Sequence, residues 1–198
     1  MCGRYSFYPP KNSAPRFSLD LSSKDLDKLT PNGNVTPGQV MPIIIKNKSS
    51  NQLDFMKWGL VPSWAKNYQI DHGMINARSE SLASKPSFKD SFRNSRCLIP
   101  ATGFYEWQKT GKTCTLYLFQ LKDQLLFSFA GLYDNSTYTI ITTSPNSLVQ
   151  PIHHRMPVIL NPKDESIWLD SSTDPQKLIS LLSPFDSDQM SSIEKIPS

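Results

Sequence analysis

The second residue of the chain, Cys2, offers chemistry that depends on its position. Removal of Met1 in front of this small residue leaves a cysteine that carries both a free α-amine and a thiol. The ordinary pKa values of these groups are roughly 8 and about 8.5, so both have nucleophilic forms at neutral pH. An amine and a thiol on adjacent carbons can together close a five-membered thiazolidine ring on an aldehyde. The alternative interpretation is that Cys2 is an incidental small hydrophobic residue.

Three short segments each place an arginine two residues from a group that can react or orient a reactant. The pairs are Cys2 with Arg4, Asn76 with Arg78, and His153 with Arg155. Side chains alternate along an extended backbone, so the members of each pair share a face. Guanidinium groups bind phosphates bidentately and keep their charge. The pattern predicts phosphate contacts, and the alternative is that each arginine is an ordinary surface ion-pair partner.

Two kinds of residue indicate proton transfer. Glu106 lies in the aromatic segment GFYEW at residues 103–107, where burial raises a carboxyl pKa toward neutrality. The alternative is a strand glutamate that points to solvent. His153 and His154 are adjacent, so in a strand they point to opposite faces, and no cysteine or carboxylate lies at ligand spacing. We therefore expect a proton-transfer histidine and no metal.

Tryptophans occur near lysines in the basic half of the chain. Residues 1–100 carry 14 Lys and Arg against 7 Asp and Glu, whereas residues 101–198 carry 7 against 10. This asymmetry allows a polyanion partner, although a solvated basic face has the same composition. In the segment WGLVPSW at residues 58–64, Trp58 ends a strand and is expected in the core. Trp64, on the following loop near Lys66, is expected to stack on a nucleobase.

The elements that must position these residues are mostly strands. Strand-like runs occur at residues 41–46, 53–58, 96–100, 103–109, 115–121, 125–132, 138–143 and 158–160. Turn signals at 109–112 and 122–124 indicate that residues 103–132 form an antiparallel meander. Short helical signals lie at 22–29, at 79–95 with a break at Pro86, at 164–169, and at 175–182 behind Asp174 as N-cap. The prediction is an α+β fold: a strongly curved antiparallel β-sheet or partly closed barrel with short peripheral helices.

Composition limits the class of protein. The 198 residues are 38% hydrophobic and 19% charged, which excludes a disordered chain and a membrane protein. There is no signal-peptide core and no apolar run near the roughly 20 residues of a membrane helix, so a cytoplasmic protein is expected. Three cysteines without a CxxC pair fit neither a disulfide framework nor a zinc ribbon, and at least one should be a free thiol.

Six motifs in this sequence occur together in one known family. They are MCGRY at residues 1–5, WGLVPSW at 58–64, INARSE at 75–80, RCLIP at 96–100, GFYEW at 103–107 and HHRMP at 153–157. The chain therefore resembles the SRAP (SOS response-associated peptidase) family of abasic-site processing proteins, and the match runs from Cys2 to about residue 162. The resemblance implies a single SRAP domain over residues 1–198.

The resemblance also implies a function and a set of site residues. It implies binding of single-stranded DNA, covalent cross-linking to abasic sites, and a self-processing peptidase step that removes Met1. The covalent residue is then Cys2, Asn76 holds its amino terminus, Glu106 assists proton transfer, and His153 acts on the sugar. Phosphate-facing positions fall on Arg4, Arg78 and Arg155, and Trp64 matches a wedge that stacks near the lesion. No cofactor and no metal are implied, and a monomer is expected.

Two departures concern only the contacts with flanking bases. Ala65 stands where some members have a second tryptophan, and the chain ends at Ser198 without a final segment that contains asparagine. Two other functions remain open: an N-terminal-nucleophile amidohydrolase that uses the Cys2 thiol on a small amide, and a non-catalytic nucleic-acid-binding module in which Cys2 is incidental.

Overall fold

The computed structural model describes residues 2–10, 13–19, 25, 27–48, 50–65 and 73–195. The strands of these residues are β1 Tyr5–Phe7, β2 Asn32–Val35, β3 Val40–Asn47, β4 Ser50–Trp58, β5 Asn76–Arg78, β6 Arg96–Ala101, β7 Gly103–Thr110, β8 Thr113–Leu121, β9 Phe127–Asp134, β10 Thr137–Thr143, β11 Met156–Pro157, β12 Ile159–Leu160 and β13 Met190–Lys195. The helices are α1 Pro86–Asn94, α2 Pro162–Leu169 and α3 Pro175–Ser180. Short 3-10 turns cover Ala14–Phe17, Ser63–Ala65, Ser79–Ser81 and Ser187–Gln189.

The strands form two sheets, and one of them closes on itself. In the larger sheet β3 pairs with β4, β4 with β10, β10 with β9, β9 with β6, and β6 with β3. The β4–β10 pair is parallel and the other four are antiparallel, so the result is a ring of strands but not a regular barrel. The second sheet has the order β13-β8-β7-β1-β2. This architecture confirms the predicted α+β class with a strongly curved, mostly antiparallel sheet.

Aromatic side chains fill the space between the two sheets. Trp58 at the end of β4 is fully buried and stacks on Tyr138 of β10 with ring centroids 6.3 Å apart. Tyr5 of β1 meets Trp58 edge-on at 5.3 Å, and its hydroxyl lies 2.9 Å from the Tyr138 hydroxyl. Each such ring contributes about 1.5–3 kcal/mol by burial. The core position expected for Trp58 is confirmed, and this cluster fixes β1, which follows Cys2.

One predicted hairpin is confirmed and the meander is wrong. Strands β7 and β8 pair up to Thr110 and Thr113, with Gly111 in the turn at φ +62°. Strand β8 does not continue into a pair with β9, because its free edge takes β13. Just beyond β8, the Lys122 amide donates to the Gln189 carbonyl at 3.0 Å, which keeps that edge on β13. Residues 122–124 therefore belong to a connection that leads from the smaller sheet to the larger one.

The helices lie outside the sheets and obey the expected end signals. Helix α1 begins at Pro86, where the sequence predicted a break in the helical segment at 79–95. The part of that segment before Pro86 contains the 3-10 turn Ser79–Ser81 and no α-helix. The Asp174 carboxylate accepts hydrogen bonds from the backbone amides of Gln176 and Lys177, so the predicted N-cap of α3 is confirmed. Part of the candidate helix at 22–29 lies outside the described residues. None of the helices in the described ranges is long and apolar enough to cross a membrane.

Candidate active site and nucleic-acid interface

Four segments that are distant in sequence deliver Cys2, Asn76, Glu106 and His153 to one place. In the smaller sheet β1 pairs with β7, and the Tyr105 amide donates to the Arg4 carbonyl at 2.9 Å, which brings Cys2 toward Glu106. In the ring β5 pairs with β10, and β10 with β11, which aligns Asn76 with the loop that carries His153. The structure therefore brings all four predicted residues together at the junction of the two sheets.

Asn76 holds the backbone of Cys2. Its side-chain amide donates to the Cys2 carbonyl oxygen at 2.9 Å. The other side-chain atom, Oδ1, is buried and accepts no hydrogen bond from the described residues. A buried amide oxygen without a donor is costly, so it is a ready acceptor for an N–H group near Cys2.

The Cys2 thiol is fully buried, with its Sγ atom 3.9 Å from the Arg4 carbonyl oxygen. Burial raises the pKa of this thiol far above its ordinary value, and the nearby Glu106 carboxylate raises it further. The thiol is thus protonated at neutral pH and needs a base before it can attack.

Glu106 on β7 has only 3% of its surface exposed. Burial raises the pKa of this carboxyl from 4.5 to about 7. Of the two readings of the GFYEW segment, the structure thus has the buried glutamate and not the solvent-facing one. A carboxyl that titrates near neutrality can both accept and return a proton, as general acid/base catalysis requires.

His153 lies beside Glu106, with its Nδ1 atom 3.8 Å from the Glu106 Oε1 atom. The Arg155 backbone amide donates to the same Nδ1 at 3.0 Å, and burial lowers the pKa of this histidine. The expectation that His153 and His154 point to opposite faces is wrong, because their rings stack with centroids 4.3 Å apart. The two residues lie in the loop before β11, where strand alternation does not apply.

The three predicted phosphate-facing arginines have different surroundings. Arg78 is exposed at the end of β5. Arg4 is half-buried, and its guanidinium lies over the Trp107 ring at 4.7 Å from the centroid. Arg155 is largely buried and forms a bidentate ion pair with Glu80 at 2.6 and 3.0 Å. Phosphates thus have open access to Arg78, whereas Arg155 already has an anionic partner.

Trp64 stands on the 3-10 turn Ser63–Ala65 and is 61% exposed, as expected for a loop residue that contacts a ligand. Leu60, four residues before Trp64, exchanges two backbone hydrogen bonds of 3.1 and 2.9 Å with Met74. The Ser63 amide also donates to the Asp134 carboxylate at 2.7 Å. Lys66, which follows this turn, lies outside the described residues, as does Met1.

No group of three or more His, Cys, Asp or Glu side chains suited to a metal ion occurs in the part of the chain that the structure describes. The three cysteines are free thiols: Cys2 and Cys97 are buried and Cys114 is exposed. The junction holds a buried thiol, a carboxyl that titrates near neutrality, and a histidine.

Sequence reasoning did not single out Glu80 or Thr142. Glu80 lies in the INARSE motif, but its partner Arg155 is 75 residues away. The Thr142 carbonyl accepts a further hydrogen bond of 2.6 Å from Arg155. Neither contact follows a local spacing rule. The one hint in the sequence is the position of Glu80, two residues after Arg78 and within a motif that already carries candidate site residues.

A model of the family described as SOS response associated peptidase (SRAP) matches residues 1–195. Among curated proteins, the abasic site processing protein YoqW of Bacillus subtilis (strain 168) is 42% identical over 207 residues, covering 96% of this chain and 90% of the relative. The abasic site processing protein HMCES of Xenopus tropicalis is 31% identical over 194 residues, covering 77% of this chain and 58% of the relative.

Solved structures have the same fold. A crystal structure of a protein from Bacteroides thetaiotaomicron superimposes with a TM-score of 0.89 at 30% identity, covering 98% of this chain and 91% of that one. A crystal structure of a protein from Bordetella bronchiseptica gives a TM-score of 0.82 at 20% identity, covering 99% and 100% of the two chains. The second likeness concerns the fold alone.

Proposed function

Since the chain belongs to the SRAP family, we propose that it processes abasic sites in DNA, the activity named for its curated relatives, by linking Cys2 covalently to the abasic sugar. The observation that carries the proposal is the contact between Asn76 and the Cys2 carbonyl, beside Glu106 and His153. This arrangement holds the start of the chain against an acid/base pair.

The abasic deoxyribose is mostly a closed hemiacetal, so the first step is ring opening to the aldehyde. His153, largely neutral because burial lowers its pKa, exchanges protons with the sugar oxygen. The α-amine of Cys2, free once Met1 is removed, then attacks C1′ and a water molecule leaves to give an iminium. The sulfur adds to the same carbon, its proton is released, and the neutral ring nitrogen remains.

The product is a thiazolidine whose mass is that of protein plus DNA less one water. An iminium that persists loses the 3′ phosphate by β-elimination and the strand breaks. Ring closure by the thiol removes the iminium and so prevents this cleavage. Having both nucleophiles on one residue therefore preserves the damaged strand.

Glu106 and Asn76 have supporting roles in this scheme. Burial raises the pKa of the Cys2 thiol, so the sulfur keeps its proton until a base removes it. Glu106, whose own pKa burial raises to about 7, is that base. Asn76 presents its buried Oδ1 atom as the acceptor for the free amine of Cys2. The same carboxyl would activate water for hydrolysis of the amide between Met1 and Cys2, which is the peptidase step.

Single-stranded DNA is the proposed substrate, because Trp64 and the exposed Arg78 suit an unpaired strand. An exposed indole stacks on a base and contributes about 1–3 kcal/mol. Arg78 and Arg4 supply charge for backbone phosphates. One chain provides all four chemical residues, so a monomer suffices.

The test is a cross-linking assay with a single-stranded oligonucleotide that contains one abasic site, resolved under denaturing conditions with and without heat. The wild-type protein should give a heat-resistant adduct and little strand cleavage. An oligonucleotide with thymine at that position is the control and should give none. Absence of any adduct in the abasic sample would contradict the proposal.

The Cys2→Ser variant separates the amine from the thiol. Its amine still forms an imine, but the weaker hydroxyl nucleophile closes the ring poorly, so heat or hydroxylamine should destroy an adduct that borohydride traps. Equal stability of the two adducts would show that the thiol is dispensable. Turnover of small amides without DNA binding would favour the amidohydrolase, and unchanged denaturant-resistant DNA retention in Cys2→Ala would assign the link to another residue.

A further inference from the structure

We infer that Glu80 is a positioning residue for His153, acting through Arg155. This inference rests on the proposed function for its catalytic consequence, because His153 is the residue proposed to act on the sugar. Glu80 acts through its contact with Arg155 and not directly on the sugar. Its carboxylate fixes a guanidinium whose own backbone holds the imidazole ring.

The first link is the ion pair between Glu80 and Arg155. The two carboxylate oxygens accept from the two terminal nitrogens of the guanidinium at 2.6 and 3.0 Å. One of these nitrogens also donates to the Thr142 carbonyl at 2.6 Å. Three of the five N–H donors are thus committed, and the buried Nε has no partner among the described residues. The guanidinium is locked in a single orientation.

The second link runs from the backbone of Arg155 to His153. The Arg155 amide donates to His153 Nδ1 at 3.0 Å, and the Arg155 carbonyl oxygen lies 3.0 Å from the same nitrogen. That nitrogen is also the ring atom 3.8 Å from Glu106. A shift of the Arg155 backbone therefore moves the imidazole relative to Glu106.

The ion pair also joins the two segments that carry the site. Glu80 belongs to the 3-10 turn Ser79–Ser81, directly after β5, which carries Asn76. Strand β5 has only three residues in register with β10, and β11 has two. Such short strands supply few backbone hydrogen bonds. The ion pair between Glu80 and Arg155 therefore acts as a clamp that contributes much to their relative position.

The geometry favours a clamp over a plain surface ion pair. Exposed pairs contribute little, but this one is bidentate and the Arg155 side chain is only 12% exposed, against 57% for Glu80. The hydrogen bond from Arg155 also holds the pKa of Glu80 below its ordinary value, so the carboxylate stays charged at neutral pH.

The decisive variant is Glu80→Gln, which keeps the shape of the side chain and removes its charge. Adduct formation at saturating abasic DNA should slow about tenfold, because small misplacement of a catalytic group has effects of this size or larger. DNA affinity should stay equal or increase, since a negative charge near the DNA is lost. Asp90→Asn, at an exposed carboxylate on α1, is the matched control and should change neither quantity.

The NMR signals of the His153 ring nitrogens provide a readout independent of cross-linking. They should shift in Glu80→Gln and in Arg155→Lys, which loses the bidentate fork, and remain in place in Asp90→Asn. Glu80→Asp, which keeps the charge, should restore part of the rate. If Glu80→Gln leaves both the His153 signals and the rate unchanged, or raises rate and affinity together, the inference is wrong. If the wild-type protein forms no adduct, the proposed function fails while the ring signals still test the clamp.

Discussion

Burial shifts the pKa values of Cys2, Glu106 and His153 toward their uncharged forms. The pKa of the thiol and of the carboxyl rise, and the pKa of the histidine falls. At neutral pH the thiol keeps its proton, the histidine is mainly neutral, and Glu106 is divided between both forms. Of these three groups, Glu106 is thus best able to move protons in either direction during the proposed ring closure.

This pKa shift makes Glu106 a destabilising residue at high pH. Between pH 4.5 and 7 the folded protein binds more protons at this carboxyl than the unfolded chain does, so stability falls as pH rises through that window. Glu106→Gln removes the effect. Relative to wild type, the variant should gain up to about 3 kcal/mol between pH 4.5 and pH 8, measured by urea denaturation.

Glu194→Gln, at an exposed carboxyl on β13, is the control for the loss of one charge and should show no comparable gain. A constant difference between Glu106→Gln and wild type across this pH range would contradict the raised pKa. The same variant should form adduct slowly but give an adduct of unchanged stability, because proton transfer affects the rate and not the product.

The three residues of strand β5 have three different surroundings. Its first residue, Asn76, faces Cys2, Ala77 is buried, and Arg78 is exposed at the strand end. One strand of three residues thus carries a group that holds the protein's own backbone and a group available to DNA. The alternation expected for an extended segment accounts for this arrangement.

Arg78→Ala should weaken DNA binding about equally for all flanking sequences. A phosphate contact carries no base information, and losing it should reduce the slope of log affinity against log salt by about one. Binding titrations at several salt concentrations measure both effects. Lys89→Ala, at an exposed cation on α1, is the control. A loss confined to one flanking base would instead indicate direct base readout by Arg78.

Local signals predicted the elements better than their pairing. The turn signal around Gly111 correctly predicted the β7–β8 hairpin, Pro86 the start of α1, and Asp174 the N-cap of α3. The change of sheet after Leu121 was not predicted. A short polar turn has the same sequence pattern whether the next strand pairs with the preceding one or joins another sheet. The pairing of β8 with β13 depends on residues 69 or more positions away, and no local pattern contains that information.

At the scale of the whole molecule, Arg96 joins the outer helices to the ring. It is the first residue of β6, is nearly fully buried, and donates to the Phe92 and Arg93 carbonyls at the end of α1. It also donates to the Trp168 and Asp170 carbonyls at the end of α2. One guanidinium thus satisfies the carboxyl ends of two helices, where the helix dipoles favour a cation.

Replacing Arg96 with methionine should therefore destabilise the fold by about 3–5 kcal/mol, since buried carbonyls lose their donors. Arg96→Lys should cost less, because an ammonium can still serve some of them. Urea denaturation of both variants gives the comparison. A loss below about 1 kcal/mol for the methionine variant would show that water replaces the guanidinium without penalty.

The assembly of the site is also a property of the whole molecule. Cys2, Asn76, Glu106 and His153 are separated by 30 or more residues, so their types suggested chemistry but no spacing rule brought them together. Their grouping was predicted from resemblance to a family, and the two sheets explain it physically. The contact between Glu80 and Arg155 had no such guide, because it depends on how β5 and β11 meet β10.

In the proposed reaction one residue, Cys2, supplies both atoms that bind the abasic sugar. The most direct measurement is tandem mass spectrometry of the cross-linked peptide after nuclease digestion, with iodoacetamide added under denaturing conditions. We expect a peptide that begins at Cys2, carries the sugar with loss of one water, and resists alkylation at sulfur. A sugar attached to a lysine or to the Met1 amine, or a Cys2 thiol that is still alkylated, would contradict it.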